Sequence, residues 1–222
     1  MRQSLKRATE AQRHRGNKWF GALCLCVSVA SSGALAQQLL DRVLARVEGT
    51  AVTLSDVRAA VGLGVASGGE EMALQQVIDR QLLLMEVERF PPREPAPAAI
   101  DAEEAAIKAR GGASLPSLMQ ATGLDERRIR ETARETLRVR AYLDQRFGTD
   151  VQVSDDEVDR YYRTHQDEFL RDGLLIPFAD AEPLARQRAS AERRQATIDQ
   201  WIADLRTRAE ITRLPALQTP AR

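Results

Sequence analysis

Few residues in this chain have the type and spacing to do chemistry, and each has a quieter structural role available. Beyond residue 36 there is a single histidine, His165, which would have to be the base of any Ser- or Cys-nucleophile system. No organised partner stands near it. His165 instead continues an apolar helical face with Val158, Tyr161, Tyr162 and Phe169, which fits packing rather than catalysis or metal ligation. The carboxylate pairs Asp155-Asp156 and Glu103-Glu104 fall at a helix start or on an exposed face, where they complement the helix dipole, and nothing singles out a glycosidase-like pair. Gly68-Gly69 and Gly111-Gly112 lack phosphate-loop spacing and a following Lys-Ser/Thr, and they read as helix stops. Arg127, Arg128, Arg130, Arg134 and Arg138 crowd one helix face but carry no interleaved aromatics for base stacking, so a solvated face interleaved with Glu131 and Glu135 is expected. The residues point to no enzyme, no metal and no cofactor.

The elements that would position these residues begin after a targeting segment. Arg2, Lys6, Arg7, Arg13, Arg15 and Lys18 form a basic stretch, Trp19 to Ala30 an apolar one, and Ala34-Leu35-Ala36 a small-residue cleavage site. Export with cleavage after Ala36 is expected, hence a periplasmic location and no stable membrane span in the product. The apolar run falls short of the roughly 20 residues of a membrane helix, and an uncleaved leader anchored in the inner membrane is the alternative. Cys24 and Cys26 leave with the leader, so the exported product has no disulfide and relies on its core. The leader holds six basic residues and one acidic; from 32 of each, the remainder keeps 26 basic and 31 acidic, a net charge of −5. That mild acidity argues against nucleic acid as a partner. Few aromatics and abundant Ala, Leu, Arg and Glu predict a mainly α protein.

Leu39 to Val57 is the most structured signal. Val43, Ala45 and Val47 alternate with Leu44 and Arg46 as a half-buried strand, Glu48-Gly49 makes a turn, Ala51-Val52 a second strand, and Thr53 with Asp56 a capping box. Helices are then expected over about Leu54–Val65 and Glu70–Arg89, followed by the stiff connector Pro91-Pro92-Arg93-Glu94-Pro95-Ala96-Pro97. Further helices are expected over about Ala98–Arg110, after Ser114, and from Asp125 to Phe147. A full capping box, Ser154 with Glu157, opens the helix bearing Tyr161 and Tyr162. Leu170 to Glu182 shows no sustained period, a long helix is expected from Leu184 to Arg208, and Ala209 to Leu214 reads as a closing strand before a frayed tail.

The opening strand–turn–strand–helix and the stretch VSDDEVDRYYRTHQDEF (153–169) resemble the SurA-type periplasmic chaperones, with Glu48 standing where that family has Asn. The resemblance implies a multi-helix domain over 37–169 and a C-terminal helix and strand over 183–214 that pack back onto the N-terminal hairpin. Residues 170–182 would be a short linker in place of the family's parvulin domain, and 215–222 the tail. No parvulin motif occurs, so the implied function is ATP-independent binding of unfolded or extended segments of envelope and outer-membrane proteins, without prolyl-isomerase activity. Adaptable and rigid apolar side chains suited to such clients are Met72, Met85, Met119, Tyr161, Tyr162 and Trp201. The alternative is a structural or assembly partner with one dedicated protein ligand, or with itself; no oligomeric state is implied. An open apolar cleft between the N-terminal helices and the last helix would favour general client binding, and a covered junction a dedicated interface.

Overall fold

The computed structural model describes residues 41–148 and 151–214; the expected leader and tail lie outside them. The fold is mainly α, with a small sheet that joins the two ends of the described chain. β1 (Val43–Val47) and β2 (Thr50–Thr53) form an antiparallel hairpin, and β5 (Ile211–Arg213) pairs with the other edge of β1. Both turn residues have positive φ, 48° at Glu48 and 81° at Gly49, the combination that matches strand twist in a two-residue loop. This backbone is easy for glycine and uncommon for glutamate. Glu48 is held there from both directions: its N–H donates to the Glu210 carbonyl at 2.9 Å, and its Oε1 accepts the Glu210 N–H at 2.9 Å. An asparagine would suit the turn, but its side chain is one methylene shorter; the longer one clamps the closing strand.

Thr53 then caps α1 (Leu54–Gly62) through the expected reciprocal box, with Asp56 N–H donating to Thr53 Oγ1 at 3.2 Å and Thr53 N–H to Asp56 Oδ2 at 2.9 Å. α2 (Glu70–Arg89) is the central helix and buries Leu74, Ile78, Leu82, Leu83 and Val87. α3 (Pro97–Gly111), α4 (Leu115–Thr122) and α5 (Glu126–Phe147) follow. Ser114 does not cap α4; its hydroxyl donates instead to the Gly111 carbonyl at 2.7 Å. Asp125 caps α5 by accepting the Arg128 N–H at 2.7 Å.

Three apolar clusters organise these elements. The largest gathers β1, β2, α1, α2, the C-terminal half of α5 and Trp201 and Leu205. A second joins Leu63, Ile100, Ile107, Ile129 and Ala133. The third lies around α6 (Asp155–Thr164), whose Val158, Tyr161 and Tyr162 pack with Phe169 against Ala181, Ala185 and Ala189 of α7 (Phe178–Arg208).

Residues 170–182 are more structured than a linker. β3 (Leu170–Arg171) and β4 (Leu174–Leu175) make a miniature hairpin across Asp172-Gly173, both with positive φ, and α7 starts at Phe178 rather than Leu184. Pro183 reads as a break because it cannot donate to the Ala179 carbonyl. Burial of Ala181 and packing of Phe178 against the third cluster keep the preceding turn helical. The arginine face of α5 differs from expectation in part. Arg130 pairs with Asp101 and Glu104 at 2.7 Å, Arg134 with Glu94 at 2.5 Å and Arg138 with Glu88 at 2.6 Å. Arg127, Arg128 and Arg130 are exposed, as expected; only Arg134 and Arg138 are half-buried, against the proline connector and α2.

Candidate functional site

The geometry that positions a site starts with the hairpin. A two-residue loop makes Val47 and Thr50 a hydrogen-bonded pair, and strict alternation makes Ala45 with Val52 the next one. The intervening pair, Arg46 and Ala51, points its main-chain groups outward. On the Arg46 side they meet Thr212 of β5. On the Ala51 side no strand follows among the described residues, since β2 is the sheet edge. The next outward donor, Thr53 N–H, is already taken by Asp56.

That edge opens on a cleft of about 320 Å³ lined by Thr50, Ala51 and Val52. Consecutive strand residues face opposite sides of a sheet, so a cavity that meets all three meets the strand along its edge. One face of α1 (Ser55, Asp56, Ala59, Ala60) forms a wall, Val77, Arg80, Gln81 and Leu84 of α2 the floor, and Arg128, Thr132 and Glu135 of α5 the opposite wall, with Val65 and Leu124 adding apolar surface. The spacing on α2 is i, i+3, i+4, i+7, a single helical face.

Arg80 is the unusual member. Its side chain is 19% exposed, and all its side-chain hydrogen bonds run through Nη2: to the Thr132 carbonyl at 3.3 Å, Glu135 Oε2 at 3.2 Å and Thr136 Oγ1 at 3.2 Å. Burial pulls its pKa below the ordinary range, while the Glu135 carboxylate works in the other direction. An arginine stays protonated under such opposing effects. Glu135 is shared, since Arg128 Nη1 also donates to it at 3.4 Å. The cleft thus offers an apolar floor, one outward main-chain pair and a covered guanidinium. Among the described residues, no group of three or more metal-ligating side chains converges, and no helix is long and apolar enough to cross a membrane.

The six apolar candidates from the sequence are not brought together. Met72, in the first turn of α2, is 59% exposed beside Gly68 and does not line the cleft. Met85 sits on a depression rimmed by Glu48, Glu86, Arg89 and Arg208. Met119 packs on the second cluster. Tyr161, Tyr162 and Trp201 are core: Tyr161 donates its hydroxyl to Glu168 at 3.1 Å and stacks on His165 at 4.1 Å, and Tyr162 donates to the Ile176 carbonyl at 2.5 Å. Trp201 lies against Tyr142 and Phe147 under the Arg146 guanidinium. Large aromatics with a satisfied polar tip belong inside, and these are placed accordingly. The junction of α2 with the last helix is likewise filled, by Leu82, Trp201 and Leu205. The open apolar cleft lies elsewhere, between β2, α1, α2 and α5. Its key residues, Ala51, Val77, Arg80, Leu84 and Glu135, went unmarked in the sequence. A usable signal was Arg80 itself, a cation between Ile78 and Leu82 of the central helix.

Comparison with solved structures shows that this architecture is a SurA-like fold. The chain aligns with one from Campylobacter jejuni described, in a study of the virulence factor PEB4 and the periplasmic protein Cj1289, as belonging to two structurally related SurA-like chaperones; the TM-score is 0.51 at 10% identity, covering 79% of this chain and 100% of that chain. No family model and no curated protein matches the sequence.

Proposed function

We propose that this chain is an exported, ATP-independent chaperone-like protein of the periplasm that holds unfolded or extended segments of envelope and outer-membrane proteins, without prolyl-isomerase activity. The cleft carries this reading: an apolar floor beside an unpaired strand edge suits an extended chain, which needs both main-chain partners and a place for apolar side chains. The basic–apolar–small leader and the SurA-like fold are in keeping with it. Light scattering of a diluted, unfolded outer-membrane protein tests it. The chain from Gln37 on suppresses aggregation at a few-fold excess; absence of suppression sinks the reading. A prolyl-isomerisation assay run in parallel stays at the buffer rate.

A second reading, a dedicated protein partner, has two observations in its favour. The junction of α2 with the last helix is covered, by Leu82, Trp201 and Leu205. The β3–β4 hairpin carries Leu170, Leu174 and Leu175 at 53%, 74% and 41% exposure, more apolar surface than a solvated hairpin needs. Leu174→Ser separates the two: it leaves general aggregation suppression unchanged but abolishes capture of a dedicated partner.

A further inference from the structure

We infer that the cleft takes the β3–β4 hairpin of a second copy of this chain. Ala51 of one copy and Leu175 of the other exchange main-chain hydrogen bonds, and Leu174 sits on the α2 floor. The inference rests on the reading of the cleft as a polypeptide site and goes beyond it in naming the chain itself as an occupant.

Register carries it. The Asp172-Gly173 loop has two residues, so Arg171 and Leu174 beside it form a hydrogen-bonded pair, and Leu170 and Leu175 point their main-chain groups outward. The Ile176 N–H donates to the Phe169 carbonyl at 2.9 Å, the next inward pair that this alternation requires. Among the described residues no third strand lies beside β3 or β4. Leu175 is thus the counterpart of Ala51, an outward main-chain pair at an open edge. Set opposite each other in an antiparallel pair, they bring Val52 against Leu174 and Thr50 against Ile176. Opposed residues share one face of a sheet. Val52 is buried in the cluster on which Val77 and Leu84 of α2 also pack, so Leu174 comes to lie over that floor. At 74% it is the most exposed large apolar side chain among the described residues.

Charge agrees with register. The cleft lining sets Arg80 and Arg128 against Glu135 and Asp56, and the hairpin sets Arg171 against Asp172, so both surfaces are neutral and neither repels the other. A neutral cleft with an apolar floor asks for an uncharged apolar segment, and the hairpin is the one this chain leaves exposed. A copy cannot fill its own cleft. The hairpin stands at the Phe178 end of α7, whereas α7 meets α2 at Trp201 and Leu205, about 35 Å further along the helix axis. The contact therefore joins two copies head to tail, each offering its hairpin to one neighbour and its cleft to another.

Sedimentation velocity on the chain from Gln37 on, from micromolar to near-millimolar concentration, tests it. The sedimentation coefficient rises with concentration, through dimers to longer species. Ala51→Pro deletes an outward N–H that β1 does not use, and Leu174→Ser removes the side chain that reaches the floor. Each variant alone associates about tenfold more weakly than the unaltered chain. An equimolar mixture of the two recovers a dimer and nothing longer, because one intact hairpin then meets one intact cleft. A chain that stays monomeric throughout overturns the inference. So does either variant associating like the unaltered chain, or a mixture that associates no better than its parts. Should Ala51→Pro fail to fold, copies with Ala51→Cys mixed with copies with Leu175→Cys decide, since no other cysteine lies beyond Cys26. Under mild oxidation the mixture gives a cross-linked heterodimer, and its absence overturns the inference. Aggregation suppression by a chain that never self-associates leaves the holding function standing and removes only this contact; self-association without suppression does the reverse.

Discussion

The two halves of α7 solve the same packing problem in opposite ways. In the N-terminal half the helix presents Ala181, Ala185 and Ala189, four residues apart, and α6 with the turn after it fills the space with Tyr161, Tyr162 and Phe169. In the C-terminal half α7 itself brings the volume, inserting Trp201 and Leu205 among Leu82, Val139 and Tyr142. One helix is thus a receiving surface at one end and a wedge at the other. Sensitivity to mutation should invert along it: truncation is costly where the helix supplies bulk, and enlargement where it supplies room.

The largest effect is expected at the wedge. Trp201→Ala should cost about 3–5 kcal/mol and lower the denaturant midpoint of the whole chain, with the slope unchanged. A loss of less than about 1 kcal/mol would mean that Tyr142 and Phe147 close the gap and the contrast is wrong. At the receiving end, Ala185→Leu should cost about 1–3 kcal/mol by overpacking, and hydrogen exchange should place the lost protection in α6. If α2 amides lose as much, the two clusters unfold as one unit. Ser154→Ala, which removes the α6 cap, should cost about 1 kcal/mol and fray α6 while leaving α2 protected.

The smallest effect is acid sensitivity of that cap. Hydrogen bonds from Ser154 N–H and hydroxyl, with Arg193 nearby, hold the Glu157 carboxyl below its ordinary value of 4.5. A carboxyl whose pKa is lowered by folding stabilises the fold above its unfolded pKa and loses that contribution as pH falls through the folded one. Protection of α6 amides should therefore decline below about pH 4.5, and Glu157→Gln should flatten this decline. In the body, Glu104 is lowered by Lys108 and Arg130, so Glu104→Gln should move the acid response of α3 and leave that of α6 alone.

What the sequence revealed was what is decided locally. Thr53 with Asp56, Asp125, and Ser154 with Glu157 each sit within three residues of the groups they satisfy, and all three caps are present. The mainly α architecture followed from composition and helical periodicity, and its SurA-like form from the resemblance carried by the opening strand–turn–strand–helix and by residues 153–169. Features assembled from distant elements stayed hidden. Arg134 and Arg138 of α5 are half-buried because Glu94 and Glu88, their partners, lie on other elements. The cleft takes one face from each of α1, α2 and α5 and an edge from β2, and only β2 and α1 are contiguous in the chain. Tyr161, Tyr162 and Trp201 were offered as binding residues because aromatic chemistry serves core and ligand alike; the partners of the polar tips place the two tyrosines, and ring contacts with Tyr142 and Phe147 place Trp201.

Glu48 and Glu210 are 162 residues apart in sequence and bonded in both directions. The strand that begins the domain therefore lacks one neighbour until almost the last described residue exists. A chain emerging from its N-terminus can form the β1–β2 hairpin and α1 early, since they adjoin in sequence, but the three-stranded sheet waits for the end. Completion of this fold is a checkpoint on chain length: a product truncated before Ile211 keeps its helices and leaves both edges of the hairpin open.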